Sequence, residues 1–324
     1  MTKDQRMTDE RRIALVGLGE VGQVLASDLH RKAGVELSAW DRLFPVAGSE
    51  PQRAAQALTF LRATKSMAEA VGERAIVISA VTAGECRAAA QEAAAALTRG
   101  TFYLDLNSVS PGTKADAAGT IAAVGGRYIE AAVMSPIAPK GIASPIWLGG
   151  PHARDFLPLA RTLGFAGAAV YSDTIGEASA AKMCRSVIVK GMEALLAESL
   201  LTARRHGVED VVLASLKDLF SVGDWGKLAR YMISRSLQHG GRRAEEMREV
   251  VRTIEEAGLE PWMSRGCVER QQWAAGHADS LRHEPLAELL DDMLARIPAP
   301  LAARPPAAAP ARGQVRRPSE AERP

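Results

Sequence analysis

Three glycines in the segment Gly17-Leu18-Gly19-Glu20-Val21-Gly22 follow directly on an apolar run, Ile13–Val16, and open a helical pattern, Val21–Ala33. Each glycine has its own task where a strand turns into a helix over a pyrophosphate. Gly17 makes the tight turn, Gly19 lets the backbone approach the phosphates, and Gly22 lets the helix pack closely on the strand. The helix start adds unpaired amides and the positive end of its dipole. Asp41 closes the second apolar run, 19 residues after Gly22. An acidic side chain there accepts hydrogen bonds from ribose hydroxyls and repels a 2′-phosphate. Arg42 is adjacent and could bind that same phosphate. The cofactor expected is therefore NAD or NADP, with NAD preferred.

The elements that must position this loop are legible as alternating apolar strands and alanine-rich helices. Strands are expected at Ile13–Val16, Val35–Trp40, Ala75–Val81, Phe102–Leu106, Arg127–Val133, Ile146–Leu148 and Ala168–Tyr171. Helices are expected between them at Val21–Ala33, Gly84–Leu97, Thr113–Val124 and His152–Leu163. Near-uniform apolarity in each strand points to a parallel sheet covered on both faces. From Gly176 to His206 there is no proline, and apolar residues recur at helical spacing. Helical patterns continue at Glu209–Phe220, Lys227–Gln238, Arg243–Ala257, Pro261–Ala275 and Pro285–Arg296. The fold expected is a Rossmann-type α/β doubly wound domain over 12–173, then an all-α domain over 174–296. Residues 1–11 read as a disordered start. Residues 297–324, which hold seven of the 17 prolines, read as a disordered tail.

A formal net charge of +2 leaves no electrostatic footprint for nucleic acid or an anionic membrane. The longest apolar run is far too short to span a bilayer, and the first dozen residues lack the apolar stretch of a signal peptide. Cys86, Cys184 and Cys267 have no paired spacing, so they read as reduced thiols, with no metal site. These features suit a cytoplasmic protein.

Beyond the glycine loop, three segments resemble the β-hydroxyacid dehydrogenase family, which includes 3-hydroxyisobutyrate and 6-phosphogluconate dehydrogenases. The first is Asp105-Leu-Asn107-Ser108-Val-Ser110-Pro111. The resemblance makes Asn107 and Ser108 substrate-binding, while Ser110 reads as a helix cap. The second is Glu130-Ala-Ala-Val133-Met134-Ser135-Pro136, where the family has Ser-Gly-Gly in the last three places. Proline donates no amide, which leaves the Ser135 hydroxyl as the group for substrate. The third is Gly176-Glu-Ala-Ser-Ala-Ala-Lys182-Met-Cys-Arg-Ser186. Lys182 matches the family's catalytic lysine. Ser186, one helical turn on and on the same face, replaces the family's asparagine. Lys190 and Glu193 continue the stripe.

The resemblance also places Val81 and Thr82 against the nicotinamide half of the cofactor. Arg242 and Arg243 stand where the family carries a lysine reaching toward cofactor and substrate, and an arginine pair there suits a carboxylate or phosphate. The implied activity is hydride transfer between nicotinamide and the hydroxyl-bearing carbon of a 3-hydroxy acid, or reduction of the corresponding carbonyl. A desolvated Lys182 would be general acid and base. The family's long helix commonly packs against a second subunit, which implies a homodimer. Two rivals are imine reduction on the same scaffold, whose enzymes usually lack the lysine, and a non-catalytic NAD(P)-binding sensor.

Overall fold

The computed structural model describes residues 11–219 and 223–297. The expected disordered segments lie almost wholly outside these residues. Eight strands form one sheet: β1 (Arg12–Val16), β2 (Glu36–Trp40), β3 (Leu61–Ala63), β4 (Ile76–Ser79), β5 (Phe102–Asp105), β6 (Arg127–Val133), β7 (Ile146–Gly149) and β8 (Ala168–Ser172). Their spatial order is β3-β2-β1-β4-β5-β6-β7-β8. Seven helices accompany them: α1 (Glu20–Ala33), α2 (Glu50–Ala57), α3 (Met67–Val71), α4 (Cys86–Ala94), α5 (Pro111–Ala123), α6 (Ala153–Thr162) and the long α7 (Glu177–Arg205). Then follow α8 (Glu209–Leu219), α9 (Trp225–Glu256), α10 (Trp262–Ala274) and α11 (Leu286–Ala295).

Alternation along each strand feeds two cores. In β1, Ile13 and Leu15 join Leu37, Ile76, Ile78, Leu104 and Phe156 on one face. Ala14 and Val16 join Val77, Tyr103, Ala90 and Ile121 on the other. Every strand pairing is parallel except β6 with β7. The uniformly parallel sheet expected from apolarity is thus corrected at this one place, where a hairpin-like return replaces a helical crossover. Chain order reverses direction between β1 and β4, so the open crevice lies at the carboxyl ends of these strands.

The second half has its own cores. Leu196, Leu200, Ile233, Leu237, Leu289 and Leu290 form one, and Met183, Met247, Val250 and Cys267 form another beside α7. α9 runs as one 32-residue element with non-helical dihedrals only at His239. The sequence predicts two helices, Lys227–Gln238 and Arg243–Ala257, and the kink at His239 falls in the gap between them. Gly240 also serves packing: a Cβ there would lie 2.5 Å from the Gln271 carbonyl of α10. No helix of the described residues is long and apolar enough to cross a membrane.

Candidate active site

The glycine loop has the shape a dinucleotide requires. Gly17 has φ +93°, and a Cβ there would lie 2.4 Å from the Ala80 carbonyl oxygen. A Cβ on Gly22 would lie 2.2 Å from the Gly17 oxygen. At Gly19 a Cβ would meet nothing within 4 Å, so this backbone faces open space. The first α1 bond recorded there is Gln23 N to Gly19 O at 3.0 Å. The amides before it have no acceptor within the helix. Asp41 accepts from the Leu18 amide at 2.8 Å and the Leu43 amide at 2.9 Å, which fixes its carboxylate against the loop. Arg42 is turned to Glu85, at 2.6 Å. Val81 packs its side chain beside Gly17, and Thr82 is exposed at the start of the turn into α4. These residues fit a dinucleotide: a close-approach backbone, free helix-start amides and a carboxylate at the end of β2.

The end of β5 carries the next group. Asp105 is fully buried and accepts from Tyr128 Oη at 2.6 Å, the Asn107 amide at 2.8 Å and Lys114 Nζ at 3.0 Å. Asn107 departs from expectation. Its Oδ1 accepts from the Val81 amide at 2.7 Å, and its Nδ2 donates to Ser79 Oγ at 3.0 Å and Cys86 Sγ at 3.5 Å. Buried and committed to β4, Asn107 binds the platform together rather than facing a ligand. Ser108, next in the chain, is half-buried and accepts from Lys182 Nζ at 2.6 Å. Ser110 caps α5 by accepting from the Thr113 amide, as its position predicts.

α7 is anchored so that Lys182 meets Ser108. Glu130 of β6 is fully buried and accepts from the Gly176 amide at 2.6 Å and the Ser179 amide at 2.5 Å. A carboxylate on these helix-start amides satisfies orphan donors and complements the dipole. Burial nevertheless pushes the Glu130 carboxyl upward, Lys114 and the two amides opposing it. Ser179 Oγ donates to the Val109 carbonyl at 2.5 Å. The Glu130 segment gives no sign of this cap in sequence, since no local pattern ties a strand to a helix start 46 residues on.

Lys182 is pushed down to about 8, first by desolvation and then by Lys190, Lys114 and Arg242, with Glu246 opposing. Ser186 and Lys190 follow on the same stripe, both buried. Lys190 Nζ donates to Glu246 Oε2 at 2.6 Å. Glu246, which the sequence gave no reason to single out, is held down to about 2 because Lys190 and Arg242 outweigh its burial.

The arginine pair divides. Arg243 donates to Glu193 Oε2 at 2.5 Å, both side chains nearly buried, with Gln271 on the same carboxylate at 3.1 Å. It belongs to the helical core, which corrects its expected role on substrate. Arg242 is 41% exposed and has only long contacts, to Glu20 at 3.5 Å and Glu246 at 3.7 Å. It bridges the helical half to the glycine loop and keeps donors free. Ser135 is half-buried at the end of β6; its one hydrogen bond recorded is local, to the Pro136 carbonyl at 3.2 Å.

A second interdomain contact holds α9 to the start of α5. Glu249 accepts from the Ser110 amide at 2.9 Å and Thr113 Oγ1 at 3.0 Å. Glu256 accepts from Ser110 Oγ at 2.8 Å and the Gly112 amide at 3.1 Å. Sequence reading missed both carboxylates, which look like ordinary surface charges on a polar helix.

Residues 12–152 match the NAD binding domain of 6-phosphogluconate dehydrogenase. Residues 203–274 match a domain of unknown function, DUF1932. A conserved hypothetical protein from Sinorhizobium meliloti 1021 is 33% identical, with a TM-score of 0.66 over 88% of this chain and 96% of that one. The conserved protein MTH1747, whose structure was described as similar to 3-hydroxyacid dehydrogenases, is 32% identical, with a TM-score of 0.62 over 82% of this chain and 97% of that one. The 3-hydroxyisobutyrate dehydrogenase of Mycobacterium tuberculosis shares the fold at 18% identity, with a TM-score of 0.64 over 87% of this chain and 98% of its own. With its NAD-binding half, its helical DUF1932 half and relatives of this likeness across nearly their whole length, the chain belongs to the β-hydroxyacid dehydrogenase family.

Proposed function

We propose that the protein is an NAD-preferring dehydrogenase or reductase acting on a 3-hydroxy acid or its carbonyl counterpart, with Lys182 as general acid and base. The observation that carries this reading is the Lys182 ammonium, desolvated to about 8 and 2.6 Å from Ser108 Oγ at the carboxyl edge of the sheet. Ser108 is the neutral partner that a substrate hydroxyl would join or displace. When bound, the nicotinamide would accept or supply hydride.

The glycine loop and Asp41 would hold the dinucleotide, with Arg42 engaged by Glu85 rather than free for a 2′-phosphate. In the oxidative direction the neutral Lys182 amine takes the hydroxyl proton as hydride leaves the same carbon. In the reductive direction the ammonium returns it to the developing alkoxide. Arg242, weakly partnered at the cleft, would receive the substrate's anionic group, and Ser135 and Ser186 would line the same space. Asp105, Asn107 and Glu130 keep Ser108 and Lys182 in register, which is the positional share of the catalysis.

Proton transfer through Lys182 fixes the pH dependence. Below about pH 8 the lysine is charged, so oxidation rises with pH toward a plateau above 8 and reduction falls across the same window. We also propose a homodimer through α7, because Ile188 and Leu195, seven residues apart on one face, are 66% and 56% exposed. Light scattering at micromolar concentration tests it: twice the chain mass is expected, and a monomer would contradict it.

The test of function is a panel of 3-hydroxy acids and their carbonyl counterparts, with NADH, NADPH and their oxidised forms followed at the nicotinamide absorbance. Turnover on a hydroxy acid with NAD ahead of NADP is expected. Turnover only on cyclic imines, or tight dinucleotide binding with no turnover on any member, would overturn the reading.

A further inference from the structure

Ser108 lies in a stretch, residues 106–110, that belongs to neither helix nor strand. Its place is therefore set by side chains, and these come from both halves of the molecule. On one side Asn107 is tied to β4 and its end, by the Val81 amide at 2.7 Å and Ser79 Oγ at 3.0 Å. On the other side the ties run to the helical half. Ser179 Oγ of α7 donates to the Val109 carbonyl at 2.5 Å. Ser110 gives its amide to Glu249 Oε2 at 2.9 Å and its hydroxyl to Glu256 Oε1 at 2.8 Å. Thr113 Oγ1 reaches the same Glu249 oxygen at 3.0 Å, and the Gly112 amide reaches Glu256 Oε2 at 3.1 Å.

Two details set these carboxylates apart from charges that merely join helices. Glu249 is buried, and its other oxygen is occupied by Arg252 of α9 itself at 2.6 Å, which leaves Oε2 for the turn. Gly112, the second residue of α5, makes room for Glu256: a Cβ there would lie 2.4 Å from Glu256 Oε1. Glycine is a poor helix former, so its presence suits the carboxylate rather than the helix. Glu249 and Glu256 are seven residues apart, two turns along one face of α9.

We propose that Glu249 and Glu256 are positioning residues: by gripping the turn one residue beyond Val109, they hold Ser108 Oγ at its 2.6 Å contact with Lys182. Their bearing on turnover rests on the acid–base reading of Lys182 given above; their hold on the turn does not. The edge of the nucleotide-binding half that carries Ser108 is thus completed by a helix lying largely in the DUF1932 half. Reaction rates fall steeply with small misplacements of reacting groups, so a carboxylate that touches neither substrate nor cofactor acts through Ser108.

The experiment uses the full chain as wild type, Glu249→Ala, Glu249→Gln, Glu256→Ala and Gly112→Ala, each also combined with Ser108→Ala. Hydrogen exchange read by mass spectrometry follows the amides of residues 108–113, and kcat, KM and dinucleotide Kd are measured on the best substrate of the panel. Both glutamate-to-alanine variants should speed exchange in this stretch while α1 keeps wild-type rates. They should lower kcat by roughly tenfold or more, within the ~10²-fold that a displacement of about 1 Å can cost, with KM and Kd little changed. Glu249→Gln keeps an acceptor for the Ser110 amide and should recover most of the loss. Gly112→Ala, which helix propensity alone would favour, should lower kcat because its methyl displaces Glu256. In the Ser108→Ala background the same changes should cost little more, since residues acting as a unit are not additive. Circular dichroism checks folding, and the exposed Glu256→Ala carries the test if Glu249→Ala does not fold. Unchanged exchange at 108–113, an undiminished kcat, or losses that add in full to that of Ser108→Ala would overturn the proposal. Exchange needs no substrate, so a wild type that turns over nothing sinks the dehydrogenase reading alone, and the exchange rates then decide the grip on the turn.

Discussion

Lys114, buried inside the nucleotide-binding half, and Lys182, half-buried at its junction with the helical half, show two outcomes for an ammonium drawn out of solvent. Lys114 is 1% exposed and sits on the Asp105 carboxylate at 3.0 Å and its carbonyl at 2.9 Å. Its charge is matched by a carboxylate in contact. Lys182 has a neutral hydroxyl as its hydrogen-bond partner, and the one carboxylate that favours its charge is bonded to Lys190 instead. Desolvation alone does not make a lysine reactive; desolvation without a carboxylate in contact does. The platform beneath the sheet edge is built from saturated groups, whereas the cleft is built from charges in partial balance.

The comparison breaks most visibly at Asp105. Asp105→Asn leaves the Lys114 ammonium buried without its counter-charge, and such losses cost on the order of 3–5 kcal/mol. Urea denaturation should show this loss, and a change below about 1 kcal/mol would mean that Lys114 finds another partner. Glu130→Gln comes next. It weakens charge-assisted bonds to two amides of α7, an effect of roughly 1–3 kcal/mol by the same measurement.

Lys182→Met sharpens the contrast with the opposite sign. The folded Lys182 lies near 8 against an ordinary 10.5. Between those values the unfolded chain binds more protons, so stability rises with pH through that window and the full penalty is present below pH 8. Removing the amine should therefore raise Tm at pH 7 by roughly a few degrees, and a lowered Tm would show that Lys182 is stabilising. The smallest effect on stability is expected at Arg42. Arg42→Ala breaks an exposed pair with Glu85 and should change stability by less than about 0.5 kcal/mol. Its readout is binding: fluorescence titration should find NADH affinity nearly unchanged, and a marked loss for NADPH alone would show that Arg42 reaches the 2′-phosphate.

Much of this molecule is legible in its sequence. The glycine loop, Asp41 and the strand–helix alternation carry their physics locally, so β1, α1 and the end of β2 fall where spacing predicts. β3 was missed because three residues at a sheet edge, one of them Arg62, give no alternation to read. The interruption after Gln238 was legible because two glycines weaken the helix there, and the kink falls at His239. Asn107 and Arg243 look like ligand-facing groups until their long-range partners, Val81 and Glu193, are known. Lys182 and Ser108 are 74 residues apart, yet family resemblance flagged both and the structure brings them together. Glu246, Glu249 and Glu256 had no such signal, because each is defined by what it meets on another element.

The most direct test of the central claim compares wild type with Lys182→Ala on the best substrate from the panel, measuring kcat/KM beside the dinucleotide Kd. Loss of a general acid–base group should cost about 10²–10⁴ in rate, while Kd stays within roughly twofold because the glycine loop and Asp41 are untouched. A variant as active as wild type, with dinucleotide binding intact, would contradict the assignment of Lys182.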